Sequence, residues 1–263
     1  MEHTKKYAVI TGASSGIGRE TAKAFADCGK NLIVAARRTE NLEALKREIT
    51  EQHPALDVII RMVDLSVPGN VYQFYSSIKD FQLETWINNA GLGSYGSAAQ
   101  QDLEKIDTML RLNVEALTIL SSLFVRDYKD VPETQLINLS SCGGYTIVPA
   151  AVTYCATKFY VSAFTEGLAW ELIESGAKTR AKVLAPAATQ TEFGKKANNT
   201  EQYDYDRAFG TYHTSRQMAE FLLCLYDSDC TLGIVDRETF RFELRSPIFP
   251  YANNSTHNQK TDK

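Results

Sequence analysis

The chain has 263 residues, 44% of them apolar and 23% charged, with a formal net charge of −4. That length buries a core without help from metals or disulfides, and the charge excludes the basic footprint of a nucleic-acid binder. No apolar run reaches the ~18–20 residues of a membrane helix, and the start "MEHTKKYAVITG" lacks the long apolar run and cleavage site of a signal peptide.

Strand-like and helix-like patterns alternate from the start. "YAVIT" (7–11) is a short apolar run closed by glycine, and 17–28 carries helical apolar spacing. "NLIVAA" (31–36) reads as a second strand, followed by a charged helix over 39–52. "DVIIRMV" (57–63) reads as a third strand, with a helix over 67–80, and "TWIN" (85–88) as a fourth. A long helical pattern fills about 101–128, and "TQLINLSS" (134–141) is the fifth strand. Helix returns over about 152–175, "RAKVLAP" (180–186) is the sixth strand, helix covers about 215–227, and "LGIVD" (232–236) is the seventh strand. Such alternation predicts an α/β fold: a Rossmann-like, doubly wound parallel sheet of about seven strands with helices on both faces. Ligands then bind beyond the C-terminal strand ends. Residues 1–251 are read as one dinucleotide-binding domain, and the polar run 252–263 as a disordered tail.

"TGASSGIG" (11–18) follows a strand and opens a helix, with glycines at 12, 16 and 18. Glycines there let the backbone approach a pyrophosphate, which the helix N-terminus meets with N–H donors and a positive dipole end. The end of the second strand reads "AARRTE", with Arg37 and Arg38 where an acid would bind a ribose 2′-hydroxyl. A guanidinium at that place pairs with a 2′-phosphate, so the expected cofactor is NADP(H).

Further motifs follow in order: Asp64 in "VDLS", "NNAG" at 88–91, Asn113 in "RLNVEA", Ser141 in "INLSS", and "YCATK" at 154–158. Together with the glycine turn they make the chain resemble the short-chain dehydrogenase/reductase family, in its compact single-domain branch, over roughly 5–236. The resemblance implies that Gly12, Gly16 and Gly18 line the cofactor phosphates. Ser14 and Arg37 would face the adenosine ribose and its 2′-phosphate, Asp64 the adenine, and Asn88 and Ala90 the adenosine side of the cleft. Ser15, Ile17, Arg38, Leu65, Asn89, Gly91, Tyr154, Lys158, Pro186, Thr189 and Thr191 complete the implied cofactor set. Asn113, Ser141, Tyr154 and Lys158 match the family's catalytic tetrad. Ser141 is preferred to Ser140 because it stands thirteen residues before Tyr154, the separation the resemblance leads one to expect.

The tetrad has a physical rationale. Positions i and i+4 share one helix face, so Lys158 sits beside Tyr154. A neighbouring ammonium favours phenolate, making a tyrosine of ordinary pKa ~10 useful as an acid–base group. Ser141 would hold the substrate oxygen, and Asn113 a water next to Lys158. The expected reaction is hydride transfer between nicotinamide and a carbonyl or secondary alcohol, the cofactor carrying the hydride.

Residues 192–214 form the substrate lid by resemblance. Phe193, Tyr203, Tyr205, Phe209 and Tyr212 there, with Tyr95, either face a ring-bearing or apolar substrate or pin the loop to the core. Ser141, Tyr95, Tyr154 and Phe193 are the expected substrate contacts. Two departures from the family pattern stand out: Ala187 replaces the glycine usual after the sixth strand, and Arg237 and Glu238 stand where a glycine pair is common. "TFRFELR" alternates and could add an edge strand or a subunit contact. The helices carrying Asn113 and Tyr154 are faces the family buries in homodimers and homotetramers.

The five cysteines are odd in number with no C-x-x-C pair, and the four histidines are scattered. Cys142 and Cys155 read as packing residues. A cytoplasmic location and no metal site are expected. The rival readings are a non-catalytic dinucleotide sensor, against which the intact tetrad argues, and a sugar-nucleotide epimerase or dehydratase. The stretch after Pro186 is short for the larger substrate domain those enzymes carry.

Overall fold

A computed structural model describes residues 5–252. In chain order the elements begin β1 (Lys6–Thr11), α1 (Gly16–Asp27), β2 (Asn31–Ala36), α2 (Thr39–Gln52), β3 (Val58–Met62), α3 (Pro68–Ser76) and β4 (Gln82–Asn88). Next come α4 (Leu103–Leu110), a π-helical turn (Arg111–Ala116), α5 (Leu117–Tyr128), β5 (Gln135–Leu139), α6 (Val152–Glu174) and β6 (Arg180–Ala185). The chain closes with β7 (Thr189–Gln190), α7 (Phe193–Ala197), α8 (Tyr205–Phe209), β8 (His213–Thr214), α9 (Ser215–Asp227), β9 (Leu232–Val235) and β10 (Phe242–Arg245).

The main sheet has the order β10-β9-β6-β5-β4-β1-β2-β3. Every pairing in it is parallel except β10 on β9. The sheet therefore has eight strands rather than about seven. The eighth is the edge strand from the alternating C-terminal segment, and β7 pairs with β8 in a separate two-stranded sheet.

Strands buried on both faces explain the continuous apolar runs. Along β1, Ala8 and Ile10 point to one face and join Phe25, Leu42 and Leu222 from α1, α2 and α9. Tyr7 and Val9 point to the other and join Phe74, Trp86, Leu120, Phe124 and Leu172 from α3, β4, α5 and α6. By length and composition the helical run Leu103–Tyr128 could cross a membrane, but here Leu117, Leu120 and Phe124 are buried, and Leu120 and Phe124 pack in the sheet's second core layer.

After β1 the chain builds outward to β3, then returns to place β4 on the other side of β1. That reversal opens a crevice at the C-terminal ends of β1 and β4. A buried polar ladder ties the neighbouring strands and helices there. Trp86 Nε1 donates to Asn88 Oδ1 (2.8 Å), Asn88 Nδ2 to Asn138 Oδ1 (2.9 Å), and Asn138 Nδ2 to Thr165 Oγ1 (2.9 Å).

After β10 the chain crosses α6 as a strap. The amides of Ile248 and Phe249 donate to Glu166 Oε2 (2.7 and 2.9 Å), whose other oxygen accepts from the Tyr145 hydroxyl (2.6 Å). Phe249 stacks on Tyr145, and Tyr251 on Trp170. The expected tail lies outside the described residues apart from Ala252.

Candidate active site

The glycine turn sits against the end of β4. Gly12 has φ +67°, and a Cβ there would stand 2.8 Å from the Ala90 Cα, so only glycine fits. Thr11 Oγ1 accepts from the amides of Asn89 and Ala90 (both 3.1 Å), and Asn89 Nδ2 donates to the Thr11 carbonyl (2.8 Å). Gly18 has a different place from the one expected. It does not line the cleft; a Cβ there would meet Asn89 Nδ2 at 2.3 Å, so it lets α1 approach the β4 loop. Asn88 is also displaced from its expected role, because its amide is consumed in the buried ladder.

The cleft above the strand ends encloses about 600 Å³. The end where the adenosine is expected is lined by Gly12, Ser14, Ser15, Gly16, Ile17, Arg37, Arg38, Asp64, Leu65, Asn89, Ala90 and Gly91. Pro186, Thr189 and Thr191 line the same cavity, as do Ser141, Tyr154, Lys158, Tyr95 and Phe193. The two arginines behave differently. Arg37 is largely exposed and reaches Asp64 Oδ2 at 3.6 Å. Arg38 turns inward, donating to Ser15 Oγ (2.8 Å) and Ser14 Oγ (3.3 Å) and forking onto Glu192 (2.9 and 3.1 Å). Glu192, also paired with Lys196 (2.9 Å), is held down to about 2 chiefly by its hydrogen bond from Arg38.

These residues fit a dinucleotide with a 2′-phosphate. Helix α1 has no side-chain cap and no acid in its first turn, which leaves its N-terminal amides available to an anion. Two hydroxyls and two guanidiniums surround the end of β2.

On the opposite wall, Tyr154 and Lys158 rise from α6. Lys158 Nζ donates to the Leu139 carbonyl (2.8 Å) and stands 5.9 Å from the Tyr154 ring centroid. Burial pushes Lys158 down to about 8. Burial also drives the Tyr154 phenol well above the ordinary tyrosine range, with the Tyr95 ring adding to it and a Ser141 hydrogen bond opposing it. The expected phenolate is therefore disfavoured in the free site, where desolvation is the leading effect.

Ser141 lies on the cleft, its Oγ accepting from the Gly143 amide (3.0 Å). Ser140 is buried and spent on the Lys158 carbonyl (2.9 Å) and Ser162 Oγ (2.6 Å). Asn113 is buried, and both of its amide hydrogens are used. It accepts from the Leu92 amide (2.9 Å) and donates to the Leu92 carbonyl (2.8 Å) and Thr157 Oγ1 (3.0 Å). It lies in the π turn and is not among the residues lining the cleft.

The lid holds two short helices. The Tyr205 hydroxyl donates to the Thr191 carbonyl and accepts from the Gly194 amide (both 3.2 Å), and the Tyr95 amide donates to the Ala197 carbonyl (3.0 Å). The Phe193 ring stands 5.4 Å from Tyr154 and 6.3 Å from Tyr95. Tyr203, Tyr205 and Phe209 also line the cavity, whereas Tyr212 bonds Asp206.

Sequence reasoning missed Glu192, Lys196 and Phe240 as cleft residues, and took Cys142, which lines the cavity, for packing. Cys155 is buried, its Sγ accepting from the Val148 amide (3.3 Å). Among the described residues no group of side chains could hold a metal ion.

Residues 6–202 match the family model described as short chain dehydrogenase. The chain is 32% identical over 219 residues to dehydrogenase/reductase SDR family member 11 of Gallus gallus, covering 81% of this chain and 85% of that protein. It is 35% identical over 191 residues to a sulfoacetaldehyde reductase of Chromohalobacter salexigens, covering 70% and 72%. Among solved structures, a short-chain dehydrogenase from Sphingobium yanoikuyae in complex with NADPH superposes with a TM-score of 0.77 at 29% identity, covering 87% of each chain.

Proposed function

The chain belongs to the short-chain dehydrogenase family, and on that premise we propose that it is an NADP(H)-dependent oxidoreductase interconverting a carbonyl compound and its alcohol. The observation that carries this reading is one cleft with Ser141, Tyr154 and Lys158 on one wall and the glycine turn with Arg38 on the other. NADPH, when bound, supplies the hydride to the carbonyl carbon. In that direction Tyr154 gives its hydroxyl proton to the carbonyl oxygen, and its raised pKa keeps it protonated for the task. Ser141 Oγ, oriented by the Gly143 amide, donates to the same oxygen. Lys158, pressed down to about 8, holds a proton near neutral pH and can return it to Tyr154. Asn113 acts by position: its amide fixes Leu92 and Thr157, and its main-chain carbonyl in the π turn is the group that would hold a relay water.

Arg38 is the better-placed partner for the 2′-phosphate, with Ser14 and Ser15, and Arg37 flanks it. The five cysteines are unpaired among the described residues, which suits a cytoplasmic protein. A homodimer or homotetramer is proposed from the family, with Leu110, Val152 and Tyr160 exposed on the helices concerned.

Titration with NADPH and NADH, followed by nicotinamide fluorescence, tests the cofactor. Tighter NADPH binding, lost in Arg38→Asp, is expected, and equal binding of the two overturns the phosphate reading. Tyr154→Phe should bind NADPH as the wild type does and lose ~10²-fold or more in turnover of a reducible carbonyl. A variant that keeps its rate would leave Tyr154 without the acid–base role.

A further inference from the structure

The hairpin between β9 and β10 replaces the glycine pair common in the family and brings Arg237 and Phe240 to the cleft wall. Its turn is tightly built. Asp236 Oδ1 accepts from the Glu238 and Thr239 amides (3.1 and 2.7 Å) and from Thr239 Oγ1 (2.9 Å), so one oxygen of the neighbouring carboxylate is held by the turn. The Phe240 amide closes back onto the Asp236 carbonyl (2.9 Å), and Phe240 takes φ +56°, a left-handed conformation that a bulky residue adopts only under constraint.

The cleft holds other cations, and each has a protein partner. Arg37 reaches Asp64, Arg38 and Lys196 share Glu192, and Lys158 holds the Leu139 carbonyl. Among the described residues, Arg237 is the cleft cation with neither an ion pair nor a side-chain hydrogen bond to the protein. Its position is at the substrate end. The hairpin leaves the C-terminal end of β9, beside β6, whose following Pro186 carbonyl accepts from the Cys142 amide (2.8 Å). Cys142 adjoins Ser141, and the Arg237 charge reaches it: burial pushes the Cys142 thiol up, and the guanidinium opposes that rise.

We propose that Arg237 is a substrate-recognition residue, and that the substrate is an anionic carbonyl compound whose carboxylate or sulfonate pairs with this guanidinium while its carbonyl lies at Tyr154 and Ser141. An unpaired, solvent-exposed guanidinium on the cleft wall is the donor set that takes such an anion in two parallel hydrogen bonds. Phe240, Phe193 and Tyr95 flank the same space and accept the hydrocarbon or ring between the two ends. This assignment rests on the oxidoreductase reading and narrows its substrate class.

The test compares 4-formylbenzoate with its methyl ester, and 4-oxobutanoate with its methyl ester, as NADPH-dependent substrates of wild type, Arg237→Gln and Arg237→Glu. The wild type should prefer each acid over its ester in kcat/KM. That ratio should fall by roughly tenfold or more in Arg237→Gln, mainly through KM, and further in Arg237→Glu, because a charge-assisted pair is lost and then reversed. NADPH dissociation constants measured on the same variants report whether the fold and cofactor cleft survive. A wild type indifferent to the anion, or an acid-to-ester ratio unmoved by either substitution, overturns the proposal. If the wild type turns over none of the four, the oxidoreductase reading is what has failed. Calorimetric binding of terephthalate against its dimethyl ester then decides the Arg237 assignment alone. Binding that needs both the anion and Arg237 upholds it, and binding indifferent to either overturns it.

Discussion

Glu192 shows how one side chain changes the reading of its neighbours. Its carboxylate fills the fork of Arg38 at 2.9 and 3.1 Å, the edge that a 2′-phosphate would take. It also begins the lid, just ahead of α7. On the proposed reading a phosphate arriving at Arg38 would displace it, and Glu192 would set the affinity for the phosphorylated cofactor. Glu192→Gln is expected to tighten NADPH binding by up to about fivefold, the scale of a ~1 kcal/mol half-exposed ion pair, and to leave NADH binding nearly unchanged. Fluorescence titrations of both cofactors check this, and an equal shift in the two would remove the competition argument. Ser140 and Ser141 make a second residue-scale lesson. They are adjacent serines at a strand end, yet Ser140 is locked on Ser162 and the Lys158 carbonyl while Ser141 faces the cleft. Only the spacing to Tyr154 distinguished them in the sequence.

At the scale of elements, helix α6 has two jobs. One face carries Tyr154 and Lys158; another holds Glu166, a buried carboxylate that clasps the C-terminal strap and Tyr145. Tyr145 follows the Cys142–Gly144 turn, of which Cys142 and Gly143 line the cleft, so the clasp links the strap to the wall of the site. Glu166→Ala leaves two part-buried amides and a hydroxyl without their acceptor and should lower the unfolding free energy by about 2 kcal/mol, as measured by urea denaturation. A loss within experimental scatter would show that the strap re-forms its bonds elsewhere. The lid is the element that pattern reading described least well. It appeared as a polar-then-aromatic segment, but its aromatic residues do both of the things considered. Phe193, Tyr203 and Tyr205 line the cavity, and Tyr205 also pins the loop through Thr191 and Gly194.

For the whole molecule, the buried titratable groups set an alkaline profile with a defined sign. Lys158 and Lys182 are pressed by burial to about 8, below the ordinary lysine value of 10.5. Between those values the unfolded chain binds more protons than the folded one, so stability rises with pH from about 8 to 10.5. Burial raises Tyr75, Tyr95, Tyr145 and Tyr154 above the ordinary tyrosine value of 10.0. Above pH 10 the unfolded chain releases those protons first, so stability is lost as pH rises further. The thermal midpoint should therefore climb modestly from pH 8 towards 10 and fall steeply beyond it. A steady decline from pH 8 upward would contradict the assignment for the two lysines.

The alternation of apolar runs and helical patterns determined a parallel α/β sheet, because strands buried on both faces and their covering helices leave that mark in any order-preserving reading. The glycine turn, "NNAG", Ser141 and "YCATK" marked the strand ends and the helix that surround the cleft, since those positions need particular residue types locally. What lay beyond the sequence were pairings between distant segments. Arg38 meets Glu192 across 154 positions, Glu166 meets Ile248 across 82, and Asn88 turns from the cleft to Asn138 across 50. Arg237 reaches the cleft only because β9 lies beside β6. Periodicity reports which way a side chain faces from its own element; which partner waits there is set by how the elements cross, and tertiary packing alone decides that.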